Sequence, residues 1–301
     1  MTTRAMGPAA GWHWLKHGIN LGRHNPKAIF GAVGLVALVA LIPSVIQLLL
    51  TQGLKLGPET VLSVVGLTTL LSILVYPLLI GGVLRVIDAS ENGRPTHATA
   101  VFDTFKPGHG AGRLIGFGVL LTVLYIAAFV AVIGLFGKDF FGWYLQVIST
   151  AMQAQAPTMP ATLPAMPEGL GLVMAFGTLV GLFFGGVYAI GFGQVALGGR
   201  GIGEALADGV KGTLKNVLPI VLAAIIVIVG FIVIALVFGL VGMLVAVIGN
   251  LLHPTVGMLL LAPLYIGFLL VLYVVMFGAM YFMWRDVAGQ GASIAHNQVE
   301  L

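Results

Sequence analysis

The side chains best suited to bind a metal ion or to move a proton are histidines near the start of the chain. His13 and His17 are four residues apart, so they share one face if this segment is helical. The sequence contains no HExxH pattern, and no acidic residue stands near these histidines to complete a ligand set. We therefore expect surface histidines, with metal binding or pH sensing as the open alternative.

A second candidate for chemistry is Arg85 with Asp88, three residues apart at the end of an apolar run. At this spacing the two side chains share a helix face. Arg285 and Asp286 recur at the end of the last apolar run. Two interpretations stay open. Either the arginine reaches the membrane interface beside an acid, or Arg85 binds a lipid phosphate or a partner's carboxylate.

No pattern in the sequence identifies an enzyme. We find no G-x-S-x-G motif and no paired carboxylates that would flank a cleft. Acidic, basic and histidine side chains also avoid the middle of the apolar runs, where proton relays and ion pathways place them. Cysteine is absent, which excludes disulfides and thiolate metal sites. We therefore expect no catalytic residue, no metal site and no cofactor.

The composition places most of these residues in lipid. Of the 301 residues 59% are hydrophobic and 8% are charged, whereas a soluble domain carries about 25% charged residues. The charged side chains are too few to cover a soluble particle of this size. The net charge is +4, but the basic residues flank apolar runs, so no nucleic-acid partner is expected.

Six apolar runs are long enough to cross a membrane, which takes about 20 residues. They are Lys27–Leu50, Val61–Leu84, Leu114–Phe136, Leu170–Leu197, Val217–Gly249 and Val256–Met283. The sequence therefore predicts an all-α fold. It is a polytopic membrane helical bundle of about six transmembrane helices, arranged as three hairpins with interfacial cytoplasmic helices.

The lysines and arginines predict the orientation of the spans. Twelve of the fourteen lie in one set of connecting segments, and only Lys55 and Lys138 lie in the other. Positive residues mark the cytoplasmic side, so both termini are expected there, with residues 287–301 as a cytoplasmic tail. The longest opposite-side segment, 137–169, is expected to be a periplasmic loop that begins with an interfacial helix over Asp139–Gln153.

Short patterns recur along the chain and suggest a threefold internal repeat. The stretch Pro77–Val83 resembles Gly181–Val187, 104 residues later, and more loosely Pro263–Phe268. Asp103 and Asp208 lie in similar cytoplasmic segments 105 residues apart. We infer copies at 8–90, 91–199 and 200–286 within a single membrane domain, 1–301. Chance similarity among Leu/Gly-rich helices is the alternative.

Several residues have predicted roles in this architecture. Aromatic and basic side chains of the cytoplasmic segments are expected to touch lipid headgroups: Trp12, Trp14, Lys16, Arg23, Arg85, Phe102, Lys106 and Lys211. Small-residue spacing predicts helix packing at Gly177, Gly181 and Gly185, and proline predicts kinks at Pro77 and Pro263. Gln194 and the hydroxyls of Ser63, Thr68, Thr69 and Ser72 are expected to bond between helices.

The start of the chain resembles a known kind of membrane protein. Gly11-Trp12-His13-Trp14-Leu15-Lys16, followed by Arg23-His24-Asn25-Pro26, is similar to the opening of an uncharacterised six-span inner-membrane family of proteobacteria. That family resembles YciC-type proteins and the membrane domain of some glycerophosphodiester phosphodiesterases. The resemblance implies a bacterial inner-membrane protein without an established activity, and it carries over no catalytic residue.

These observations favour a non-enzymatic membrane protein that handles lipid or acts as a scaffold. Anionic membrane lipid is the expected partner, because basic and aromatic residues share the cytoplasmic segments. A second copy of the chain or another membrane protein is a further expected partner. The alternative is a channel or small-solute transporter, which requires a continuous polar cavity through the bundle.

Overall fold

A computed structural model describes residues 3–54, 57–153, 165–252 and 254–289 of the chain. Within these residues the regular structure is helical, which confirms the predicted all-α class. The α-helices in chain order are α1 (Ala10–Asn20), α2 (Pro26–Leu48), α3 (Pro58–Glu91), α4 (Ala111–Phe136), α5 (Phe140–Gln153), α6 (Leu170–Ala196), α7 (Ile202–Lys215), α8 (Val217–Leu252) and α9 (Pro254–Val287). A π-helical turn, Leu49–Gly53, continues α2, and a 3₁₀ helix covers Ala98–Phe105.

Among the described residues, six helices are long and apolar enough to cross a membrane. They are α2 with its π-helical turn, α3, α4, α6, α8 and α9. The chain is a multi-pass integral membrane protein, as its composition predicts. The predicted helix after the third span also exists as α5, whereas residues 154–164 of the same loop and 290–301 of the tail lie outside the described residues.

Two spans extend past their predicted ends, where polar side chains have partners inside the protein. The second is predicted to end at Leu84 and the sixth at Met283, but α3 continues to Glu91 and α9 to Val287. Asp88 lies in the extension of α3 and accepts a hydrogen bond of 3.0 Å from the hydroxyl of Tyr281 on α9. Hydropathy predicts that a span ends at its first charged residue. The helix itself can continue past that residue when the charged side chains that follow have hydrogen-bond partners in the protein.

The described chain forms two compact units. Unit 1 is Met1–Val119 with Gly186–Leu301, and unit 2 is Leu120–Gly185. In unit 2 the rings of Phe136 and Phe176 stack with their centroids 4.4 Å apart. Unit 1 holds the remaining spans and the three short surface segments, α1, the 3₁₀ helix and α7.

One end of unit 1 collects most of its polar contacts, and we call it the basic end. It consists of α1, the 3₁₀ helix and α7, the C-terminal ends of α3, α6 and α9, and the N-terminal ends of α2, α4 and α8. Each short segment packs against a different pair of spans. The 3₁₀ helix contacts α2 and α3, and α1 contacts α8 and α9, whereas α7 approaches α6 through Gly209 and Gly186 and α4 through Ile202.

The basic end thus contains three similar packing arrangements, each with one short segment against a pair of spans. The 3₁₀ helix and α7 each follow in sequence the pair of spans against which they pack. Helix α1 comes first in the chain, yet it occupies the corresponding place at the last pair, α8 and α9. The arrangement is compatible with three repeats, which stay a prediction. The stretch Pro263–Phe268 does not take part in it, because α9 contacts α1 at Gly278.

Glycines allow the short segments to lie directly on the spans. A Cβ atom at Gly82 of α3 would overlap the carbonyl oxygen of Val101 in the 3₁₀ helix. A Cβ at Gly278 of α9 would lie 2.7 Å from the Cα of Gly18 in α1. Such close backbone contacts supply the van der Waals packing on which helix association in lipid depends.

The glycines predicted from spacing have a different environment. A Cβ at Gly177 would lie 3.2 Å from the ring of Phe129, whereas at Gly181 and Gly185 it would meet no atom within 4 Å. A close contact is therefore found at Gly177, and the packing predicted at Gly181 and Gly185 stays a prediction. The small-xxx-small pattern does not encode which side of a helix has a neighbour.

The prolines predicted to kink spans lie inside continuous helices. Pro77 lies within α3 and Pro263 within α9. A Cβ at Gly118 of α4 would overlap the Pro77 ring, so Pro77 also forms part of a close contact between two spans. The predicted kinks at the two residues stay a prediction.

Away from the basic end, unit 1 contains a part that we call the apolar region, residues 34–53, 61–76, 224–249 and 261–276. It has no Asp, Glu, Lys, Arg or His. Val227 and Val229 of α8 are 46% and 55% exposed, although residues two apart point to opposite sides of a helix. Because apolar side chains are exposed all round α8, lipid hydrocarbon is the solvent that suits this region.

The hydroxyl groups of the apolar region bond within their own helix. Thr68 and Thr69 donate to the carbonyl of Val65 at 3.0 and 2.8 Å, and Ser72 donates to Thr68 at 2.7 Å. The interhelical hydrogen bonds predicted for them are wrong. In a medium without water, the carbonyl one turn earlier is always within reach and satisfies the hydroxyl locally.

Candidate lipid-facing site at the basic end

Helix α1 has one face buried in the protein and one exposed face. The buried residues recur at steps of three and four, as expected for an amphipathic helix. They are Ala10, Gly11, Trp14, Leu15 and Gly18. A Cβ at Gly11 would overlap the carbonyl oxygen of Pro219 in α8, so this face lies against the neighbouring backbone.

Trp14 belongs to the core and does not contact lipid headgroups, so its predicted role as an interface residue is wrong. Its side chain is 1% exposed. The indole Nε1 donates a hydrogen bond of 3.0 Å to Oδ2 of Asp286 at the end of α9. A buried tryptophan needs a partner for its N–H, and here that partner is 272 residues away in the sequence.

The opposite face of α1 presents aromatic, aliphatic and basic side chains. Trp12 is 46% exposed and Ile19 is 61% exposed, and Lys16 between them is exposed as well. Arg23 follows just after the helix and is also exposed. The structure therefore leaves three of the predicted lipid contacts, Trp12, Lys16 and Arg23, available on one segment.

Arg85 is bonded to the protein backbone. Its Nε donates to the carbonyl of Ala196 at 3.1 Å, and an Nη donates to the carbonyl of His109 at 2.8 Å. The predicted association of Arg85 with Asp88 on one helix face does not form an ion pair, because Asp88 pairs with Arg94 and accepts the Tyr281 hydroxyl. Arg85 thus stabilises the C-terminal end of α6, where its positively charged side chain bonds to the last carbonyl of the helix.

A second arginine, missed by the sequence analysis, bonds to the turn that follows α6. Arg113, near the start of α4, donates from an Nη to the carbonyl of Gly199 at 2.6 Å. Arg85 lies within electrostatic reach of Arg113. Two guanidinium groups therefore lie close together at this end of the protein. The two arginines belong to different spans, so the sequence does not show that they are close. The tertiary structure shows it, because both bond to carbonyls at or just after the end of α6.

The segment after the 3₁₀ helix adds more positive charge. Lys106 pairs with Asp103 at 2.6 Å. The hydrogen bond from Lys106 is the main cause that lowers the pKa of the Asp103 carboxyl below its ordinary value, and the charges of His109 and His97 act in the same direction. These four side chains therefore share one electrostatic environment.

The aromatic residues of the 3₁₀ helix differ in exposure. Phe102, predicted to face lipid, is half-buried, and its ring lies 6.2 Å from that of Phe105. Phe105 is 43% exposed and presents the larger apolar surface. On α7, Lys211 is exposed as predicted, beside Leu214, which is 61% exposed.

Gln194 of α6, one of the polar candidates, links three elements of the basic end. Its Nε2 donates to Oδ2 of Asp208 on α7 at 2.6 Å, and its Oε1 accepts the indole N–H of Trp284 on α9 at 3.3 Å. Gln194 is 1% exposed. Its predicted interhelical hydrogen bonding is confirmed, and these bonds account for both ends of the amide.

The extended segment 3–9 is attached to the basic end through its backbone. Asn216, which is fully buried, donates to the carbonyl of Arg4 at 2.8 Å and accepts the N–H of Met6 at 2.7 Å. The N–H of Arg4 donates to the carbonyl of Val287 at 2.9 Å. Asn216 thereby holds the start of the chain beside the end of α9, a role that its type and spacing do not predict.

Of the two histidines of α1, His13 and His17, the latter contacts its own helix and an aromatic ring. Nδ1 of His17 lies 2.7 Å from the carbonyl oxygen of His13, and the His17 ring lies 5.0 Å from that of Phe282. Nδ1 of His17 is therefore within hydrogen-bond distance of a carbonyl of its own helix. The alternative of metal binding gains no support from this arrangement.

The predicted transporter alternative also gains no direct support. Side chains such as Leu84, Phe117 and Ile190 fill the basic end and are fully buried. An open groove of about 510 Å³ lies between α8 and α9, lined by Phe238, Gly239, Leu261, Ala262, Leu264 and Tyr265. Its lining is almost entirely apolar, whereas a solute site combines an apolar wall with a few placed polar groups.

Comparison with known proteins gives no relative from which a role could be transferred. No family model, no curated protein and no solved structure matches the chain. The function must therefore be argued from the basic end itself.

Proposed function

We propose that this integral membrane protein binds anionic lipid with the exposed face of α1. The observation that carries the proposal is the division of that helix. Its small and buried residues seat it between α8 and α9, while Trp12, Lys16 and Ile19 are left exposed. An interfacial helix of this kind inserts its apolar side chains at headgroup depth and holds negative lipid with its basic ones.

The size of the effect follows from the number of charges. Each lysine or arginine near an anionic membrane surface contributes about 1 kcal/mol. Lys16 and Arg23 together therefore favour anionic over neutral lipid by roughly 2 kcal/mol, or about thirtyfold in affinity. Trp12 adds affinity for the interface that does not depend on the lipid charge.

Binding can be measured on the full chain. The protein, purified in detergent, is titrated with phosphatidylglycerol or phosphatidylcholine, and native mass spectrometry counts the bound lipids. We expect phosphatidylglycerol to bind more tightly. The double substitution Lys16→Gln with Arg23→Gln should reduce that preference by about tenfold or more, while Lys138→Gln, on the predicted opposite side, should leave it unchanged.

Equal binding of the two lipids by the unmodified protein would refute this function. The exposed face of α1 would then be assigned to a protein partner, as in the scaffolding alternative. A preference for phosphatidylglycerol that the double substitution leaves unchanged would place the lipid site elsewhere on the protein.

We further propose that the protein belongs to the bacterial inner-membrane family whose opening motif it resembles. Three motif positions have distinct roles, since Gly11 and Trp14 pack α1 against the spans and Trp12 is exposed. We also propose that the basic end faces the cytoplasm, because it holds most of the lysines and arginines. A reporter enzyme fused at Leu301 should be active only in the cytoplasm, and activity outside the membrane would contradict this orientation.

A further inference from the structure

Basic side chains from three elements lie near one another at the basic end. We call them the basic cluster: Arg85 at the end of α3, His97 before the 3₁₀ helix, Lys106 and His109 after it, and Arg113 at the start of α4. His97, Lys106 and His109 all act on the Asp103 carboxylate. Arg85 donates to the carbonyl of His109 at 2.8 Å. Arg85 and Arg113 also donate to two nearby carbonyls at or just after the end of α6, those of Ala196 and Gly199, so the cluster occupies one region of the protein.

The positive charge of the cluster is only partly compensated. Arg85, Lys106 and Arg113 carry three permanent charges, and Asp103 is the carboxylate that faces them. Other acidic side chains of the basic end have partners of their own. Asp88 pairs with Arg94 and accepts the Tyr281 hydroxyl, while Glu204 and Asp208 pair with Arg200.

The guanidinium groups have more N–H donors than their bonds to the protein use. A guanidinium carries five N–H groups. Arg85 uses its Nε and one Nη on carbonyl oxygens, and Arg113 uses one Nη on the carbonyl of Gly199. Because Arg113 is exposed, its outer edge can donate to an arriving oxyanion while the inner edge stays bonded to the protein.

The surroundings favour a lipid over a soluble anion. The cluster adjoins the exposed ring of Phe105 and lies near the end of α3 and the start of α4, and the ends of spans lie near lipid headgroups. Between Lys106 and Arg113 the chain passes through Gly108, where a Cβ would meet no atom within 4 Å. The approach to the cluster is therefore open, and an apolar surface lies beside it.

We propose that the basic cluster binds the phosphate of one anionic membrane lipid, with Arg113 and Lys106 as the contacting residues and Arg85 as the positioning residue beneath them. The proposal takes its class of partner from the proposed function but assigns the binding to different residues from those of α1. The two proposals can therefore fail separately.

The test uses the full chain in detergent with phosphatidylglycerol, phosphatidylcholine or inorganic phosphate as the probe. Arg113→Gln with Lys106→Gln should weaken phosphatidylglycerol binding by about twentyfold or more. Asp103→Asn removes the opposing carboxylate and should tighten it by about fivefold. Lys138→Gln, an exposed lysine outside the basic end, is the matched control and should leave the affinity of this site unchanged.

The Asp103→Asn variant separates lipid binding from a merely structural role. Loss of its ion pair with Lys106 would at most weaken the fold, so tighter lipid binding is expected only if the cluster binds phosphate. If the double variant Arg113→Gln, Lys106→Gln does not fold, the two single variants Asp103→Asn and Lys106→Gln still test the proposal. Asp103→Asn must raise the affinity for phosphatidylglycerol, and Lys106→Gln must lower it.

Each outcome assigns the site. The proposal is supported if Asp103→Asn raises the affinity for phosphatidylglycerol and the Arg113→Gln, Lys106→Gln variant lowers it. This holds even if the Lys16→Gln, Arg23→Gln variant binds normally, and that result would show that α1 is not the lipid surface. Unchanged binding in every cluster variant overturns the proposal, and the proposed function stands if the α1 variant still loses lipid. Displacement of phosphatidylglycerol by millimolar inorganic phosphate, or equal binding of phosphatidylcholine, also overturns it.

Discussion

The basic end and the apolar region contain parts of the same spans, yet they are built by different rules. At the basic end, buried side chains such as Phe117 and Phe192 meet edge to face with their centroids 5.0 Å apart, and backbones touch at glycines. In the apolar region, Val227 and Val229 are exposed on opposite sides of one helix. Hydrocarbon surrounds an apolar helix as favourably as another helix does, so hydrophobicity alone does not define a contact there.

The difference shows where the specificity of the fold is located. At the basic end, hydrogen bonds such as those of Gln194 and Asn216 join elements distant in sequence. Hydroxyls of the apolar region bond to their own helix instead, as Ser72 does to Thr68. The spans are therefore positioned relative to one another mainly by their polar and glycine-containing ends.

Alanine at two glycines should separate the regions most clearly. Gly82→Ala at the basic end should cost about 3 kcal/mol of stability, since its Cβ would overlap the carbonyl of Val101. Gly230→Ala in α8 has open space around it and should be neutral or stabilising by up to about 1 kcal/mol. Thermal unfolding in detergent measures both. Equal effects would show that the two regions are packed alike.

Removing Asn216 should have the next largest effect. Asn216→Ala deletes the side chain that bonds to the backbone of Arg4 and Met6, and leaving these groups without partners should cost about 2–3 kcal/mol. Hydrogen exchange of residues 3–7 should rise at the same time. Asn20→Ala is the matched control, because its amide bonds to Lys16 of its own helix. Unaltered exchange in the Asn216 variant would contradict the attachment.

The two tryptophans of α1 should respond differently to the same change. Trp14→Phe loses the hydrogen bond to Asp286 and should destabilise the protein by about 1.5–2 kcal/mol. Trp12→Phe, on the exposed face, should change stability by less than about 0.5 kcal/mol. Thermal unfolding and the near-ultraviolet dichroism of the protein report both. A larger loss from Trp12 would reverse the assignment of the two faces.

The smallest effect is expected from pH. The pKa of the Asp103 carboxyl is lowered in the folded protein, chiefly by the Lys106 hydrogen bond. Because the folded pKa lies below the unfolded one, this ion pair contributes stability above the ordinary value of 3.8, and the contribution is lost as pH falls through the folded pKa. Asp103→Asn should remove a small pH-dependent part of the unfolding transition below about pH 4. An unchanged profile would indicate that the pair is not formed.

Much of the architecture follows from the sequence, because it depends on properties of each segment alone. Length and hydropathy locate the six spans, and the charge pattern marks the connecting segments. Within the candidate site, the exposure of Trp12, Lys16, Arg23 and Lys211 agrees with the prediction made from residue type.

The remaining features depend on contacts between residues that are far apart in the sequence. Residue type treats Trp12 and Trp14 alike, and only the packing of α1 against α8 and α9, with the bond from Trp14 to Asp286, decides which one is buried. The pattern of Gly177, Gly181 and Gly185 shows small residues but not the neighbour they would need, whereas Gly82 packs because Val101 lies against it. Composition and local spacing determine that these helices cross a membrane. The tertiary structure decides which of their residues touch each other and which are left to touch lipid, because a contact is a property of two residues and a sequence pattern describes one segment at a time.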